Sequence, residues 1–501
     1  MLEVYDDVRL GPWSRHHAAH LLRRMTVGPT PFEISRAVEE GREATVERIL
    51  TPWTVPTEKV SSMISDIVLA ELQPIDTLEY YNFFVRKDRR YIELVQWWAS
   101  VIVRSPLSAQ ERMTLWWHMC LPSSLNGAHF AENIFDQNMS MRRHGLGSIP
   151  TLVDEVIHGM AMQIYLSGTE NVWQPTNEGV NENLAREMME IFLLGRTDAQ
   201  GLPSYSQEDV SEIARSLSGW RIAEVHVAGS TGTDYLYRMR ELVFSVDHWD
   251  PRPKTVFGQT GTFRSKEILD LLFTEKRSAI ARHICSRWYS SFINETVEEQ
   301  AIEGMTELLL DVNMDMTSWL RVVLNSSHFF ESRHRMRIAT PPMVSFLAQL
   351  RYADVGYVPD FDDYDNGVQD DLYSRLRSIN QCMYYPPNVS GWPDTTDYVA
   401  GTEIAWRLEM HMRLWSGTMT FKNYNGGRQV YPIVINSFLK SYGMPATIRQ
   451  LAEMVLCDLA GIEADAKDLA RRLCPVDRPC DNTSVRGLMK TITTSPRILF
   501  H

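Results

Sequence analysis

Long apolar runs, clustered cysteines and cationic stretches are missing from this chain, and each absence removes a class of function. No uninterrupted apolar segment approaches the ~18 residues that a membrane-spanning helix needs. The start, MLEVYDDVRLGPWSRHHAAH, lacks the charged-then-apolar order of a secretory signal. A cytoplasmic protein without a membrane partner is the resulting expectation. The six cysteines, Cys120, Cys285, Cys382, Cys457, Cys474 and Cys480, show no C-x-x-C spacing, which disfavours a zinc ribbon or dithiol motif and suggests reduced thiols. Only Cys474 and Cys480 lie close together, and no further zinc ligands accompany them. A net charge of −13 with no basic run argues against a nucleic-acid partner, because a phosphate-binding surface needs excess Lys and Arg.

What remains is a globular composition, 44% hydrophobic and 23% charged over 501 residues, enough for several domains or one large helical one. Helical periodicity dominates. Residues 14–24, SRHHAAHLLRR, read as a helix with Ser14 as N-cap, and Thr30 followed by Pro31 opens the next. Aromatic-rich helices follow in ELVQWWASVIV and RMTLWWHMCL. YSQEDVSEIARSLSGW carries Ser206 and Asp209 as a capping box and the apolar stripe Val210, Ile213, Ala214 and Leu217. RIAEVHVAG and DYLYRMRELVFSV alternate as strands do and are separated by a Gly/Ser/Thr turn. The expected fold is therefore mainly α, a multi-helix globular bundle with one small β-hairpin insertion near 221–262. Residues 1–425 would form the main domain and 426–501 a C-terminal helical subdomain.

Chemistry could sit in several places. NENLAREMMEIFLLG, Asn181 to Gly195, drawn as an α-helix puts Asn183, Arg186, Glu187 and Glu190 on one face and an apolar set on the other. Such a face is either a solvated run of weak i,i+4 ion pairs or the wall of a polar site. His16 and His20 stand four apart, a spacing that lets two imidazoles share a metal, although two histidines without an acid are weak evidence. His118 follows a Trp pair, a setting in which a lone histidine is usually a core residue bonded to a carbonyl unless an acid or a second histidine faces it. His248, Asp250 and Lys254 fall within one Pro-containing loop, where turn chemistry and display of functional groups are both possible. The acidic loop 359–371 lacks the ligand order of a calcium-binding loop and reads as solvated. MYYPPNVSGWP, Met383 to Pro393, forms a stiff aromatic wall.

Seven of these motifs occur in a fixed order: HLLRRMTVGPTP, LWWH, RRHGLG, NENLAREMMEIFLLG, YSQEDVSEIARSLSGW, HWDPRPKTVFG and PPNVSGWP. Over roughly residues 15–415 the chain thereby resembles the bacterial family of domain of unknown function 1800. The resemblance implies a mostly helical protein of this size and supplies no settled activity. The family pattern matches at His20, Arg23, His118, Asn181, Glu182, Asn183, Arg186, Glu187, Gln207, Asp209, Trp220, His248, Asp250, Lys254, Asn388 and Trp392. It departs at WHMCL, where relatives often read W-H-N-H-F, so Cys120 stands in place of a second histidine. Were both histidines metal ligands in relatives, Cys120 would have to serve as a thiolate. Many relatives look exported, which this chain's start does not suggest.

Polar types in separate motifs cost about 1 to 3 kcal/mol each if buried unpaired, so they either satisfy one another or are used. The leading expectation is an enzyme acting on a small molecule, a metal-dependent oxidoreductase of specialised metabolism. Its metal, iron favoured, would be held by His20, His118, Glu182 and Glu187. Glu187, Arg186, His248, Asp250 and Lys254 would be catalytic, and Asn183, Asn388 and Trp392 would contact substrate. A metal-free acid–base hydrolase or lyase, with His248 or Glu187 as base and Arg186 or Lys254 holding an anion, is the second reading. A helical binding or assembly protein is the third.

Overall fold

A computed structural model describes residues 3–57, 77–128, 130–175, 180–226, 238–353, 371–392, 401–422, 428–430, 433–460 and 466–495. Most of the expected acidic loop and Pro393 lie outside the described residues. The chain is mainly helical. Its principal helices and strands are α1 (Arg15–Met25), α2 (Pro31–Glu40), α3 (Thr77–Arg104), α4 (Ala109–Cys120), α5 (Ala131–His144), α6 (Asn183–Glu187), α7 (Gln207–Ser216), β1 (Trp220–His226), β2 (Arg238–Phe244), β3 (Lys254–Val256) and β4 (Gln259–Gly261). They continue with α8 (Arg277–Phe292), α9 (Glu299–Asp311), α10 (Ser327–Phe330), α11 (Pro342–Tyr352), α12 (Ile448–Ala460) and α13 (Asn482–Thr493).

Local signals place many of these ends. Thr30 Oγ1 accepts from the Glu33 amide while Glu33 reaches back to the Thr30 amide, with Pro31 at the first helical position. Ser206 and Asp209 form the same reciprocal box at α7. Ser14 sits at the N-cap of α1 but turns its hydroxyl to His16 Nδ1, 2.7 Å away, instead of to the backbone.

The expected hairpin is present, β1 pairing antiparallel with β2 from Trp220↔Phe244 to His226↔Arg238. β3 and β4 form a second antiparallel pair, joined by Phe257 and Gly258, both at positive φ as a tight two-residue turn requires. A third pair, Thr420–Lys422 with Arg428–Val430, lies outside the region expected to be β, its strands too short to leave an alternating pattern in sequence.

One departure falls inside the NENLAREMMEIFLLG motif. α6 stops at Glu187 and Met188–Leu193 winds as a π-helix, Leu194 N bonding to Met189 O at 3.0 Å. The buried pairs Leu184/Ala185, Met188/Met189 and Phe192/Leu193 recur every four residues. A helix of 3.6 residues per turn drifts by about 40° over each such repeat, and the wider turn keeps the pairs facing the core.

The buried side chains form two clusters. One gathers α1 with Trp116, Trp117, Phe192, Trp288, Phe292, Trp319 and Phe330. The other gathers the C-terminal half of α3 with α11, α12 and α13, so residues 433–492 share a core with Leu94 to Ile102. Helix α4 contributes Leu115 to the second cluster and Trp116 and Trp117 to the first, and it is buried at every position except Met119. Gly28, just beyond α1, lets that end lie on α11: its φ is +76°, and a Cβ there would fall 2.4 Å from Ala348 Cα.

A buried ion pair joins α4 to α5. Glu111 receives Arg142 Nε at 3.0 Å and Nη2 at 2.6 Å, and Trp98 Nε1 from α3 donates to the same carboxylate at 3.0 Å. Removing one member of a buried pair strands the other charge, which costs about 3 to 5 kcal/mol. Glu111→Ala should therefore lower the thermal midpoint by many degrees, whereas Glu40→Ala at the surface should move it little. Equal, small shifts in differential scanning calorimetry would contradict this account.

Candidate metal centre

Residues of the NENLAREMMEIFLLG motif and of α7 meet at the half-exposed surface. Glu182 accepts from Arg186 Nη2 at 2.7 Å and from Gln207 Nε2 at 2.9 Å, and Gln207 Oε1 receives both terminal nitrogens of Arg186 at 3.2 Å. Asn183 is exposed, its amide bonded to Asn181 Oδ1 at 3.0 Å. Glu187 is half-buried; burial first, then the neighbouring Glu190 carboxylate, raises its pKa. Glu190 itself pairs with Arg196.

The loop expected to be catalytic is a clamp. Asp250 is fully buried and receives Arg215 Nε at 2.7 Å and Arg252 Nη2 at 2.7 Å. Burial alone would raise its pKa, but hydrogen bonds from Arg252 and Arg215 hold the carboxyl well below the usual carboxylate range. Lys254 is also fully buried, donating to the Asp250 carbonyl with its ammonium 4.1 Å from the Trp249 ring centroid. Burial pushes that amine down to about 8. Arg221 Nη1 donates to His248 Nε2 at 2.9 Å, leaving Nδ1–H for Ser245 Oγ at 2.8 Å, so the imidazole lone pair is already engaged by a cation. The amides of Thr255 and Phe257 end on Glu212 and Asp209 at 2.9 and 2.8 Å, which staples β3 onto α7.

The expected metal ligands do not assemble. His20 is buried and donates from Nε2 to the Phe329 carbonyl at 3.0 Å, while Glu182 is spent on Arg186 and Gln207. His118 is buried among Trp98, Tyr384 and Trp392, its Nε2 accepting the Tyr384 amide at 3.2 Å, and burial pushes its pKa to about 3. It behaves as the core histidine that was the alternative. Cys120 is buried, and burial pushes its thiol up to about 11. Asn388 closes a turn by accepting the Ser390 amide at 2.8 Å, and buried Trp392 packs on His118.

Among the described residues, one group of metal-capable side chains does converge. Ligand atoms of Glu298, His328 and His334 all lie within 4.8 Å of one another. Glu298 precedes α9, His328 sits in α10, and His334 ends the 3₁₀ turn after α10. The two rings are 4.6 Å apart between centroids. Tyr289 from α8 lies between the arms, its hydroxyl 3.2 Å from His328 Nε2 and hydrogen-bonded to Glu298. Asn294 Nδ2 lies 3.2 Å from His334 Nδ1. His334 has no exposed side-chain surface, and its Nε2 has no hydrogen-bond partner, the nearest carboxylate oxygens being Glu331 at 3.8 Å and Glu298 at 3.9 Å. Burial, then neighbouring His328 and arginines, pushes His334 down to about 3, and burial likewise lowers His328. Both imidazoles are thus neutral near pH 7, the form that binds a metal.

Reading by helical spacing could not join His328 to His334, because a helix end and a 3₁₀ turn intervene. A local signal was present all the same: Glu331-Ser332-Arg333-His334 is an E-x-x-H. A second E-x-x-H, Glu155 to His158, stands outside this group, with Glu155 2.9 Å from His144 and His158 3.0 Å from Asp154.

A mainly helical chain with a two-histidine, one-carboxylate cluster is the class that fold and site define. The family model described as "Protein of unknown function (DUF1800)" matches residues 20–499, and the chain belongs to that family. The match extends through the C-terminal helices, beyond the span that the motifs alone indicate. No curated protein and no solved structure matches the chain. Among the described residues no helix is long and apolar enough to cross a membrane.

The Asp250 clamp makes its own test. Its folded pKa lies below the unfolded value of about 3.9, so its stabilisation is present above about pH 4 and is lost as pH falls toward the folded value. The gap in melting temperature between the native chain and Asp250→Asn should be wide at pH 7 and narrow steadily below about pH 4. A gap independent of pH would show that the carboxylate charge is not what the clamp uses.

Proposed function

We propose that this protein is a divalent-metal-dependent enzyme acting on a small molecule, with Glu298, His328 and His334 as the protein ligands. The observation that carries the reading is His334 Nε2, a buried polar atom without a partner, beside a second imidazole and a carboxylate. A buried group left so costs about 1 to 3 kcal/mol, which a purely structural ion-pair network would not recover and a coordinated cation would. Two imidazoles and a carboxylate form the donor set of non-haem iron centres that keep positions open for substrate, and they also suit zinc. Iron is favoured, with oxidation as the reaction class. Glu298 keeps about a third of its side chain exposed, 31%, which gives the site a route to solvent.

The acid–base alternative, with His248 or Glu187 as base and Arg186 or Lys254 holding an anion, has less support, since His248 is engaged by Arg221 and Ser245, Arg186 by Glu182 and Gln207, and Lys254 by the Asp250 carbonyl. The assembly alternative draws on no comparable observation.

Chain stripped with chelator and reloaded anaerobically should bind about one equivalent of Fe(II) or Zn(II) per protomer. His328→Ala and His334→Ala should each lose that binding, whereas His118→Ala and Glu187→Gln, once shown to fold, should keep it. Reloaded protein should also alter a small-molecule extract by mass spectrometry in a manner that His334→Ala does not. Less than about 0.1 equivalent bound after reloading would sink the proposal. So would metal binding that survives both histidine substitutions.

A further inference from the structure

The cluster carries a built-in cation. Arg333 donates from Nε to Glu331 Oε2 at 2.6 Å and from Nη1 to Glu298 Oε1 at 2.6 Å. These are the same two oxygens that stand 3.8 and 3.9 Å from His334 Nε2. The guanidinium therefore spans the carboxylates where a metal ion would contact them. Its side chain is 54% exposed, so it can swing outward without disturbing the core. Arg9 adds a second cation, 3.2 Å from Glu331.

Charge balance selects the class of ligand. Glu298 and Glu331 cancel Arg333 and Arg9, so these four side chains are together neutral. A divalent ion bound by Glu298 and the two neutral histidines would leave two positive charges in excess. Buried Arg24, which donates to the His334 carbonyl, adds to that field from behind. Such excess in a partly dry site demands an anion. A guanidinium displaced from Glu298 presents a planar fork that matches carboxylate geometry.

We propose that Arg333 is an exchangeable latch: it covers Glu298 and Glu331 in the metal-free protein, and in the metal-loaded protein it binds a small-molecule carboxylate beside the ion. The proposal rests on the metal-centre reading and adds the ligand class to it. Binding of the cation and of the anion are then coupled through one side chain with opposite signs.

Cobalt(II) loaded into the full chain supplies visible bands that report its ligands, with acetate and inorganic phosphate as probes. The expected result is that acetate shifts the bands of the native chain and that Arg333→Leu weakens this response about tenfold, the loss of one charge-assisted hydrogen bond. The same variant should bind cobalt(II) more tightly, by a few-fold, because its internal competitor is gone. Arg333→Lys, keeping charge without the fork, should fall between the two. Circular dichroism of this exposed substitution verifies folding, and a merely structural role for Arg333 would not move the two affinities in opposite directions. Acetate binding identical in native and Arg333→Leu chains, or weaker cobalt binding in the variant, would overturn the latch. Phosphate binding with the same arginine dependence, and no response to acetate, would overturn the carboxylate assignment. Absence of cobalt bands in the native chain would fail the metal reading itself, a result distinct from an intact cobalt site indifferent to anions.

Discussion

Helix α1 is the strut on which the candidate centre depends, and the constraint acting on it is the cost of burying polar side chains. His20 and Arg24 lie one turn apart, both buried. Each reaches the backbone of the same short segment, His20 at the Phe329 carbonyl and Arg24 at the His334 carbonyl. Those carbonyls belong to the residue after His328 and to His334 itself. At its start, α1 is tied to the C-terminal helices through Arg15, whose Nε and Nη2 reach Asp458 of α12 at 2.6 and 2.7 Å. The N-terminal segment adds a further hold on this segment, Ser327 N bonding to Glu3 O at 2.8 Å and Asp6 N to Ser327 Oγ at 2.9 Å. A histidine that looked like a ligand thus positions the segment that carries His328 and His334. The difference lies in what its ring nitrogen faces, which spacing along a helix does not contain.

The motif residues around α7 obey the same constraint with a different outcome. Strands β3 and β4 form a two-stranded ribbon too small to be stable alone. Glu212, Asp209, Arg215, Asp250 and Lys254 supply the missing partners, taking up backbone amides and carbonyls that a larger sheet would satisfy. The ions neutralise one another in a chain from Glu212 through Arg215 to Asp250 and Arg252. That arrangement explains why such a cluster of charged types recurs in one stretch without forming an open site. The clamp pairs its charged groups with one another and with the ribbon backbone; in the Glu298 cluster the buried His334 Nε2 has no hydrogen-bond partner, and this separates the two.

Much of the fold was legible because helix starts and apolar periods are local properties. Thr30 with Pro31 and Ser206 with Asp209 rest on contacts within a few residues, and β1 and β2 each show local alternation although they pair with residues 12 to 24 positions away. The π turn at Met188–Leu193 was less so, since apolar pairs every four residues fit a slightly drifting α-helix almost as well. The candidate centre was hardest, because Tyr289, Glu298 and the His328–His334 segment come from three separate pieces of chain. Only tertiary packing brings them together, and the charge on Arg333 reads in sequence as an ordinary surface arginine. His118 shows the opposite error, a side chain whose family match suggested chemistry but whose surroundings are Trp98, Tyr384 and Trp392.

The motif helix and the centre are nevertheless connected physically through α8. The Ile191 carbonyl lies in the last turn of the π-helix, where carbonyls lack partners within the helix. His283 Nε2 reaches it at 3.0 Å and Arg287 Nη1 at 3.2 Å, both from α8. Two residues beyond Arg287, the same helix presents Tyr289 to His328 and Glu298. Arg287 also reaches the Cys120 carbonyl at 3.4 Å, which brings the end of α4 into the same contact. A shift of α8 along its axis would move the caps of two motif helices and the hydroxyl in the cluster together. The motif helix therefore bears on the centre through its backbone: the Ile191 carbonyl anchors α8, and α8 carries Tyr289.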